Sequence, residues 1–430
     1  MRKSLSGGPV ISRRSALRGL GMGASLAAAP GLVRYAQAHG DAPIRLGAPF
    51  HRTGIGASYG RWYEQVASAA VDLINAEGGI NGHPIEMIVE DDGTDPQRAT
   101  EVVEKLVAEH NVDLVFGHLF SHVVVATAPR MGELKVPYLI CSEGHQTAAV
   151  SLNRYVLQPC ITDVKAQVIS MAPWVAANLG RKVTMFFPDY AFGHDHRDYF
   201  SAAIAEQGGE VLALIPIPPT ETSFTRYFPN IPADTEVIYH VMVGPGVLTF
   251  VKELGEYLGP DRPEIFGFID SLEAVDLASP QLEFLEGTYF WEGHPRYAQP
   301  DQSEHDAFYR ATVGVDDNGA SVADARDVST YAHMFSVWET LFAIKQGMEM
   351  CDYHGPEDRV AFIEAMESIE SFAESREHPQ GDKIFDARLH QCFGHQFISR
   401  VENSRLNVLH RTAIEDGLYE PEGDYTQMSF

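Results

Sequence analysis

Gly56-Ala57-Ser58-Tyr59-Gly60 has the G-x-S-x-G spacing of a nucleophile elbow. That device needs a strand directly before the serine and a helix directly after it. Here the first predicted strand ends at Phe50 and a loop from His51 intervenes, so the elbow is not expected to form. Gly54-Ile55-Gly56 and Gly60, with Glu90-Asp91 closing the second predicted strand, make a loosened dinucleotide fingerprint. Those glycines should turn straight from strand into helix, and His51-Arg52-Thr53 stand in between. An exported dinucleotide-dependent oxidoreductase therefore stands as the rival of another class. His390, Cys392 and His395, or His194 and His196, could ligate a metal, but neither set has a second pair at zinc spacing. No paired carboxylates demand acid–base catalysis. The expectation is a chain without enzymatic activity, metal or cofactor.

The elements that must position any site alternate from Pro43 onward. Strands are predicted at 44–50, 85–91, 114–116 and 138–140, and helices at 60–77 and 123–134, with another between them marked by Ala99, Val102, Val103, Leu106 and Val107 at helical spacing. Val66, Ala70, Leu73 and Ile74 share one helical face, and Asp95-Pro96 supplies a cap and a first-turn proline for the second helix. A second run starts after Cys160. It has helices at 165–179, 194–207 and 247–258, with strands at 183–187, 211–217, 236–240 and 265–268. The segment 288–291 is read as a strand returning to the first sheet, followed by helices at 330–346 and 360–368. The tail segments 384–385 and 396–401 read as paired strands. Strands alternating with helices make parallel sheets covered on both faces. The fold class is α/β, with two Rossmann-like lobes joined by a three-crossing hinge. Lobe one is expected at 43–158 and 288–378, and lobe two at 159–287 and 379–430. Two such sheets set the carboxyl ends of their strands on opposite walls of one cleft, a geometry suited to closure on a solute.

The first 38 residues read as a leader. Ser12-Arg13-Arg14-Ser15 lies in a basic region, a short stretch rich in Gly, Ala and Leu follows, and Ala36-Gln37-Ala38 supplies an A-x-A cleavage site. The arginine pair points to twin-arginine export, although Ala16 replaces the bulky apolar residue usual there. The stretch is too short and glycine-rich for a membrane span. The mature chain is expected to begin at His39 and to be a soluble, monomeric, periplasmic protein. The chain has 32 basic and 59 acidic residues, and six of the basic ones lie in the leader. Such a surface repels nucleic acid and anionic lipid. Four cysteines (Cys141, Cys160, Cys351 and Cys392) are too few for a disulfide framework, and their pairing stays open.

Longer motifs carry a resemblance. Val71-Asp72-Leu73-Ile74-Asn75-Ala76-Glu77-Gly78-Gly79-Ile80-Asn81-Gly82 is followed by Glu90-Asp91-Asp92-Gly93-Thr94-Asp95-Pro96, then by Gly117-His118-Leu119-Phe120-Ser121 and Val136-Pro137-Tyr138. Pro188-Asp189-Tyr190-Ala191-Phe192-Gly193 and Phe385-Asp386-Ala387 continue the series. In this order they resemble the leucine/isoleucine/valine-binding family of periplasmic solute-binding proteins, which also has amide- and urea-binding members. The resemblance implies the type I periplasmic binding fold, a small-molecule solute and an ABC permease as partner. It implies that Ser121 and the loop Ser142-Glu143-Gly144 hold the ligand's polar head, with Tyr59 covering it. Tyr190 and Phe192 then face it from the second lobe, and Asp270 takes an ammonium. A hydroxyl and free backbone N–H groups suit a carboxylate. Ser121 also reads as a helix cap, Asp270-Ser271-Leu272-Glu273 as a capping box, and Trp62 as a second cover or as core.

The sequence departs from the family in two places. Thr94 and Phe120 stand where branched-chain binders often carry a cysteine pair, and Glu143 adds an acid to a loop that is usually neutral. A small amino acid or related carboxylic acid is the first expectation for the ligand. An amide, urea-like or aromatic compound is the second.

Overall fold

The computed structural model describes residues 42–430 apart from Leu152, Pro245 and Ala274. The expected leader over 1–38 lies outside those residues. From the amino end, β1 (Ile44–Phe50), α1 (Ala57–Ala76), β2 (Ile85–Asp91), α2 (Pro96–Ala108), β3 (Leu114–Phe116), α3 (Ser121–Leu134), β4 (Tyr138–Leu139) and β5 (Val156–Thr162) follow one another. Local chemistry sets several of these boundaries. The Asp95 carboxylate accepts from the Arg98 amide at 2.8 Å and Pro96 opens α2, as the cap and first-turn proline lead one to expect. Val66, Ala70 and Ile74 of α1 are fully buried, together with Trp62 and Tyr63 of the same helix.

The second lobe follows as α4 (Val164–Asn178), β6 (Lys182–Pro188), α5 (Ala191–Glu206), β7 (Glu210–Ile217), β8 (Val237–His240), α6 (Val247–Leu258), β9 (Glu264–Phe268) and β10 (Tyr289–Glu292). The chain then returns as α7 (Glu304–Val313), α8 (Tyr331–Met350), α9 (Arg359–Glu367), β11 (Ser371–Phe372), β12 (Lys383–Asp386) and β13 (Gln391–Phe393). It ends in the hairpin β14 (Phe397–Glu402) and β15 (Arg405–Arg411). The first sheet has the order β11-β12-β13-β5-β4-β3-β1-β2 and the second β15-β14-β10-β9-β8-β6-β7. Within each the long central run is parallel, and antiparallel strands extend one edge. This is a two-lobe α/β protein.

Four local readings change. The strand expected to return to the first sheet, β10, instead sits in the second, parallel to β9 and antiparallel to β14. Its aromatic side chains explain the choice: Trp291 stacks on Tyr239 at 5.1 Å and lies against Phe266 at 4.9 Å, completing the second core. The chain recrosses only after Glu292. In the tail, β12 pairs with β11 and β13 in the first sheet, while β14 pairs with β15 in the second, so the two tail segments are not partners. The sheets change hands after residues 162, 292 and 393, not at 158, 287 and 378 as expected. The strand β5 was not anticipated at all. Pro159 lies inside it, and proline argues against a central strand because it lacks the N–H for the ladder. Here β13 pairs with β5 on either side of the proline, through a register shift between Gln391 and Cys392 that absorbs the missing donor.

In the first lobe, α8 is buried on nearly every side and packs between α1 and β5. It carries Glu339, fully buried, whose Oε2 lies 2.9 Å from Nζ of Lys383 on β12, itself 1% exposed. Removing one partner of a buried pair strands the other charge. Lys383→Met should therefore cost about 3–5 kcal/mol, and adding Glu339→Leu should recover most of it. Urea unfolding of both variants checks this, and a double variant no more stable than the single one refutes it.

Candidate functional site

Both sheets present the carboxyl ends of their parallel strands to one cleft, and the residues there come from both lobes. On the first wall, β3 leads through Gly117 to Ser121, the first residue of α3. The helix is capped by Phe120, not Ser121, and the Ser121 hydroxyl instead lies 3.0 Å from that of Ser142. The capping reading of Ser121 is thereby replaced. Gly144 packs so tightly on this serine that a Cβ there would lie 2.4 Å from Ser121 Oγ. Glu143 turns toward the second lobe. Its Oε1 accepts from Gln167 Nε2 at 2.8 Å, and its carbonyl accepts from the Val164 amide at 2.7 Å, both on α4.

A buried polar network sets this wall from behind. The Leu119 amide donates to His51 Nε2 at 3.1 Å, which leaves Nδ1–H to donate to Asp92 at 2.9 Å. His118 Nε2 lies 3.0 Å from the other Asp92 oxygen, and the far side of its ring meets the Tyr138 hydroxyl. Burial raises the Asp92 carboxyl, but the hydrogen bonds from His118 and His51 outweigh it and hold it well below the usual carboxylate range. A buried polar network of this kind fixes a loop in one geometry.

On the second wall, Tyr190 is the N-cap residue of α5 and Phe192 lies in its first turn, their rings stacked at 6.1 Å. Tyr190 meets His122 across the cleft at 4.9 Å. Asp270 stands in the short turn after β9. That turn is capped by Phe268 without a side-chain bond, so the capping box does not form. The Asp270 carboxylate is instead hydrogen-bonded by His333 Nε2 of α8. Tyr59 lies between, edge-on to both His333 and Phe120 at 5.8 Å. Ser121, Glu143, Tyr190, Phe192 and Asp270 share the lining of one cavity of about 20 Å³, room for roughly one water. Tyr59 and Asp270 also border a larger mouth chamber of about 320 Å³. A hollow of about 820 Å³ near Arg154 and Phe430 is lined by none of these side chains.

Residues 43–405 match the family model for periplasmic binding proteins. The chain belongs to that family. An "Amino acid binding protein" of Pseudomonas aeruginosa is 25% identical over 232 residues, which is 54% of this chain and 62% of the relative. The chain thus aligns with under two thirds of that relative's length. A solute-binding protein of an ABC transporter from Rhodopseudomonas palustris HaA2, solved with p-hydroxybenzoic acid, superposes with TM-score 0.72 at 20% identity, covering 86% of this chain and 97% of its own. The branched-chain amino acid transporter substrate-binding protein LivJ of Streptococcus pneumoniae, solved with isoleucine, gives 0.67 at 18%, covering 86% and 99%. The fold is that of the type I periplasmic binding proteins. Members of this family are extracytoplasmic, and among the described residues no helix is long and apolar enough to cross a membrane.

In this periplasmic binding protein the rival geometries are not built. Ser58 is an exposed residue of the first turn of α1, and residues 51–56 separate it from β1, so no nucleophile elbow forms. Gly54–Gly56 make a 3-10 turn, not a direct strand-to-helix turn. His194 bonds Asp189, His196 bonds Tyr239, and His390 bonds the Val156 carbonyl and Glu367, so each of these histidines has its own partner. Trp62 is fully buried core. All four cysteines are free thiols. Among the described residues two histidine-containing groups are close enough to share an ion: Cys160, Glu339 and His378, beside the Lys383 ammonium, and Asp270, Glu273 and His333 at the cleft.

Sequence reasoning missed His333 and underused Glu273. His333 is one of several polar residues on α8 with no local motif to mark it, and Glu273 figured only as the far end of a capping box. Together with Asp270 and Glu143 they form one buried electrostatic unit. Burial alone would lower the His333 imidazole, but Asp270, Glu143 and Glu273 outweigh it and raise it to about 10. Burial raises Glu143 to about 7 and Glu273 to about 8.

The sign of the resulting pH dependence follows from proton uptake. A histidine raised from 6.5 adds stability that is complete below 6.5 and is lost as pH rises through about 10. A carboxyl raised from 4.5 to about 8 keeps its proton in the folded chain and loses it in the unfolded one, so stability also falls as pH climbs toward 8. The neutral buried histidines His118, His196 and His240 act only below 6.5. The melting temperature is expected to drop between about pH 7 and 9, and less steeply from 7 to 8 in Glu273→Gln. A flat or rising profile by calorimetry refutes this.

Proposed function

We propose that this chain is the extracytoplasmic receptor of an ABC importer, which closes its two lobes on a small amino acid or a closely related acid and delivers it to the permease. The observation that carries the reading is the single cavity lined by Ser121 and Glu143 from one lobe and Tyr190, Phe192 and Asp270 from the other. The Ser121–Ser142 hydroxyl pair at the start of α3 suits a carboxylate, since a helix N-terminus attracts anions. Glu143, raised to about 7, keeps its proton over much of the neutral range and donates a hydrogen bond to the same head group. Asp270 and its neighbours supply the negative side for an ammonium. The twin-arginine leader read at 1–38 supports export to the periplasm. Delivery of a solute involves no chemical step, and the reading needs no cofactor.

An aromatic or amide solute is the second reading. The rings of Tyr59, Phe120, Tyr190 and Phe192 around the cleft favour it, as does the p-hydroxybenzoic acid held by the Rhodopseudomonas palustris structure. Either solute exceeds the enclosed volume, so loading requires the lobes to part and close again.

A thermal-shift screen over amino acids, amides, polyols and aromatic acids tests the class, because a ligand that prefers the folded chain raises its melting point. Sugars as the sole hits would refute the polar-head assignment. With a hit in hand, Ser121→Ala should remove a charge-assisted hydrogen bond of about 1.5–3 kcal/mol, or roughly ten- to a hundredfold in affinity. Because Ser121 is not the cap, the stability lost should be only that of its bond to Ser142, about 1 kcal/mol. Affinity that survives the change by calorimetric titration moves the polar head elsewhere.

A further inference from the structure

Glu273 is 5% exposed, and neither of its carboxylate oxygens has a hydrogen-bond partner among the described residues. It lines the mouth chamber of about 320 Å³, whose other walls include Ile55, Tyr59, Val247, Leu248 and Val275. A carboxylate stranded in a buried, largely apolar setting is costly unless a cation meets it. We propose that this chamber receives a positively charged group of the solute, an amine or guanidinium carried on a hydrocarbon body, and that Glu273 is its acceptor.

The inference rests on the cleft being the solute site and names the class of solute it prefers. The charge balance around Glu273 supports it. His333, Asp270, Arg296, Glu292 and the Tyr59 hydroxyl are the ionisable groups that face it. His333 is already engaged by Asp270. Arg296 gives Nη1 to the Leu272 carbonyl at 2.8 Å and Nη2 to the Val275 carbonyl at 2.5 Å. No lysine or arginine lines either the cavity or the chamber. With His333 engaged by Asp270 and Arg296 by two carbonyls, a Glu273 that gives up its proton is best met by a cation the solute brings. The apolar walls then cover its hydrocarbon part. A neutral amino acid leaves Glu273 unmatched.

A divalent metal is the competing occupant, since donor atoms of Asp270, Glu273 and His333 all lie within 4.8 Å of one another. To ligate it through its unpartnered Nδ1, the protonated His333 would have to give up a proton. An organic cation requires no such loss from His333, and it uses the apolar walls. Seating a cation on Glu273 also favours loss of the proton that burial keeps on it, because Glu273 is raised to about 8. At pH 7 binding should release roughly one proton.

The test is calorimetric titration of the exported chain with L-lysine and agmatine, beside L-norleucine, an uncharged analogue of lysine, and with ZnCl2 and MnCl2 alone. The expected result is that lysine or agmatine binds about tenfold or more tighter than norleucine, as for a hydrogen bond to a charged group. Glu273→Gln should abolish that preference while norleucine binding stays within about twofold. Titrations in phosphate and Tris should show the proton released by the wild type and not by the variant. Equal binding of norleucine and lysine overturns the proposal, as does a preference that survives Glu273→Gln, or a response to the metals alone. If the variant does not fold, the lysine–norleucine contrast and the proton count in the wild type decide. If aromatic or neutral solutes bind through Ser121 and cations do not, the cation site falls while the importer reading stands. If no organic solute binds and Ser121→Ala changes nothing, the importer reading itself falls.

Discussion

Asp270 and His333 come from different lobes, and their hydrogen bond crosses the cleft between them. Asp270 follows a strand of the second sheet, and His333 belongs to the helix that runs through the first lobe. Both side chains are more than nine-tenths buried. Taking two charges out of water costs several kcal/mol for each, so the pair is held only where surrounding groups repay that cost. Glu143 and Glu273 do so in part, since their negative charge keeps His333 protonated. The same arrangement leaves those two carboxyls without full compensation and pushes them up toward neutral pH. The cleft thus trades one satisfied ion pair for two acids whose ionisation depends on what else enters.

The two walls answer this constraint differently. On the first, Asp92 sits between His51 and His118, and Leu119 hangs from the same network, so the backbone leading to Ser121 is fixed before any solute arrives. Gly144 closes on Ser121 at a distance no side chain could share. Preformed geometry of this kind spares the solute the cost of ordering its own site. On the second wall the contacts are rings and carboxyls at the ends of α5 and β9, and several of them reach across to the first lobe. Gln146 donates to Asp195 at 2.8 Å, Gln167 to Glu143 at 2.8 Å, and the Tyr190 ring meets His122.

Much of this was legible in the sequence, and the exceptions share a cause. Both αβ runs follow from hydrophobic periodicity, and Asp95-Pro96 marked the start of α2 because a cap is a local device. Ser121, Glu143, Tyr190, Phe192 and Asp270 were all named in advance and line one cavity. What failed was decided at long range. The strand β5 contains Pro159 and is completed by a register shift in β13, more than two hundred residues later. The aromatic run at β10 fits either sheet by pattern, and only its stacking on Tyr239 and Phe266 selects the second. Asp270 and Glu273 had capping-box spacing, yet the segment makes a short 3-10 turn and the Asp270 side chain is drawn to a histidine 63 positions away. Nothing local marks His333, whose role exists only when the lobes meet.

The cross-cleft contacts already hold the enclosed cavity at about 20 Å³. A solute therefore competes with bonds the protein makes to itself. Each bond that must open lowers the apparent affinity by the fraction of molecules in which it is open. Selectivity then lies in what can replace those bonds. A solute that offers Asp270 and Glu273 a positive charge satisfies acids that His333 cannot satisfy alone, so closing around it gains more than closing around nothing. An uncharged solute of the same shape regains the packing against Tyr59 and Phe192 but leaves the excess of acid where it was. The acids that look ill suited to a pocket for small organic solutes are then what separates one solute from another, because specificity is a difference between affinities and repulsion contributes to it as much as attraction does.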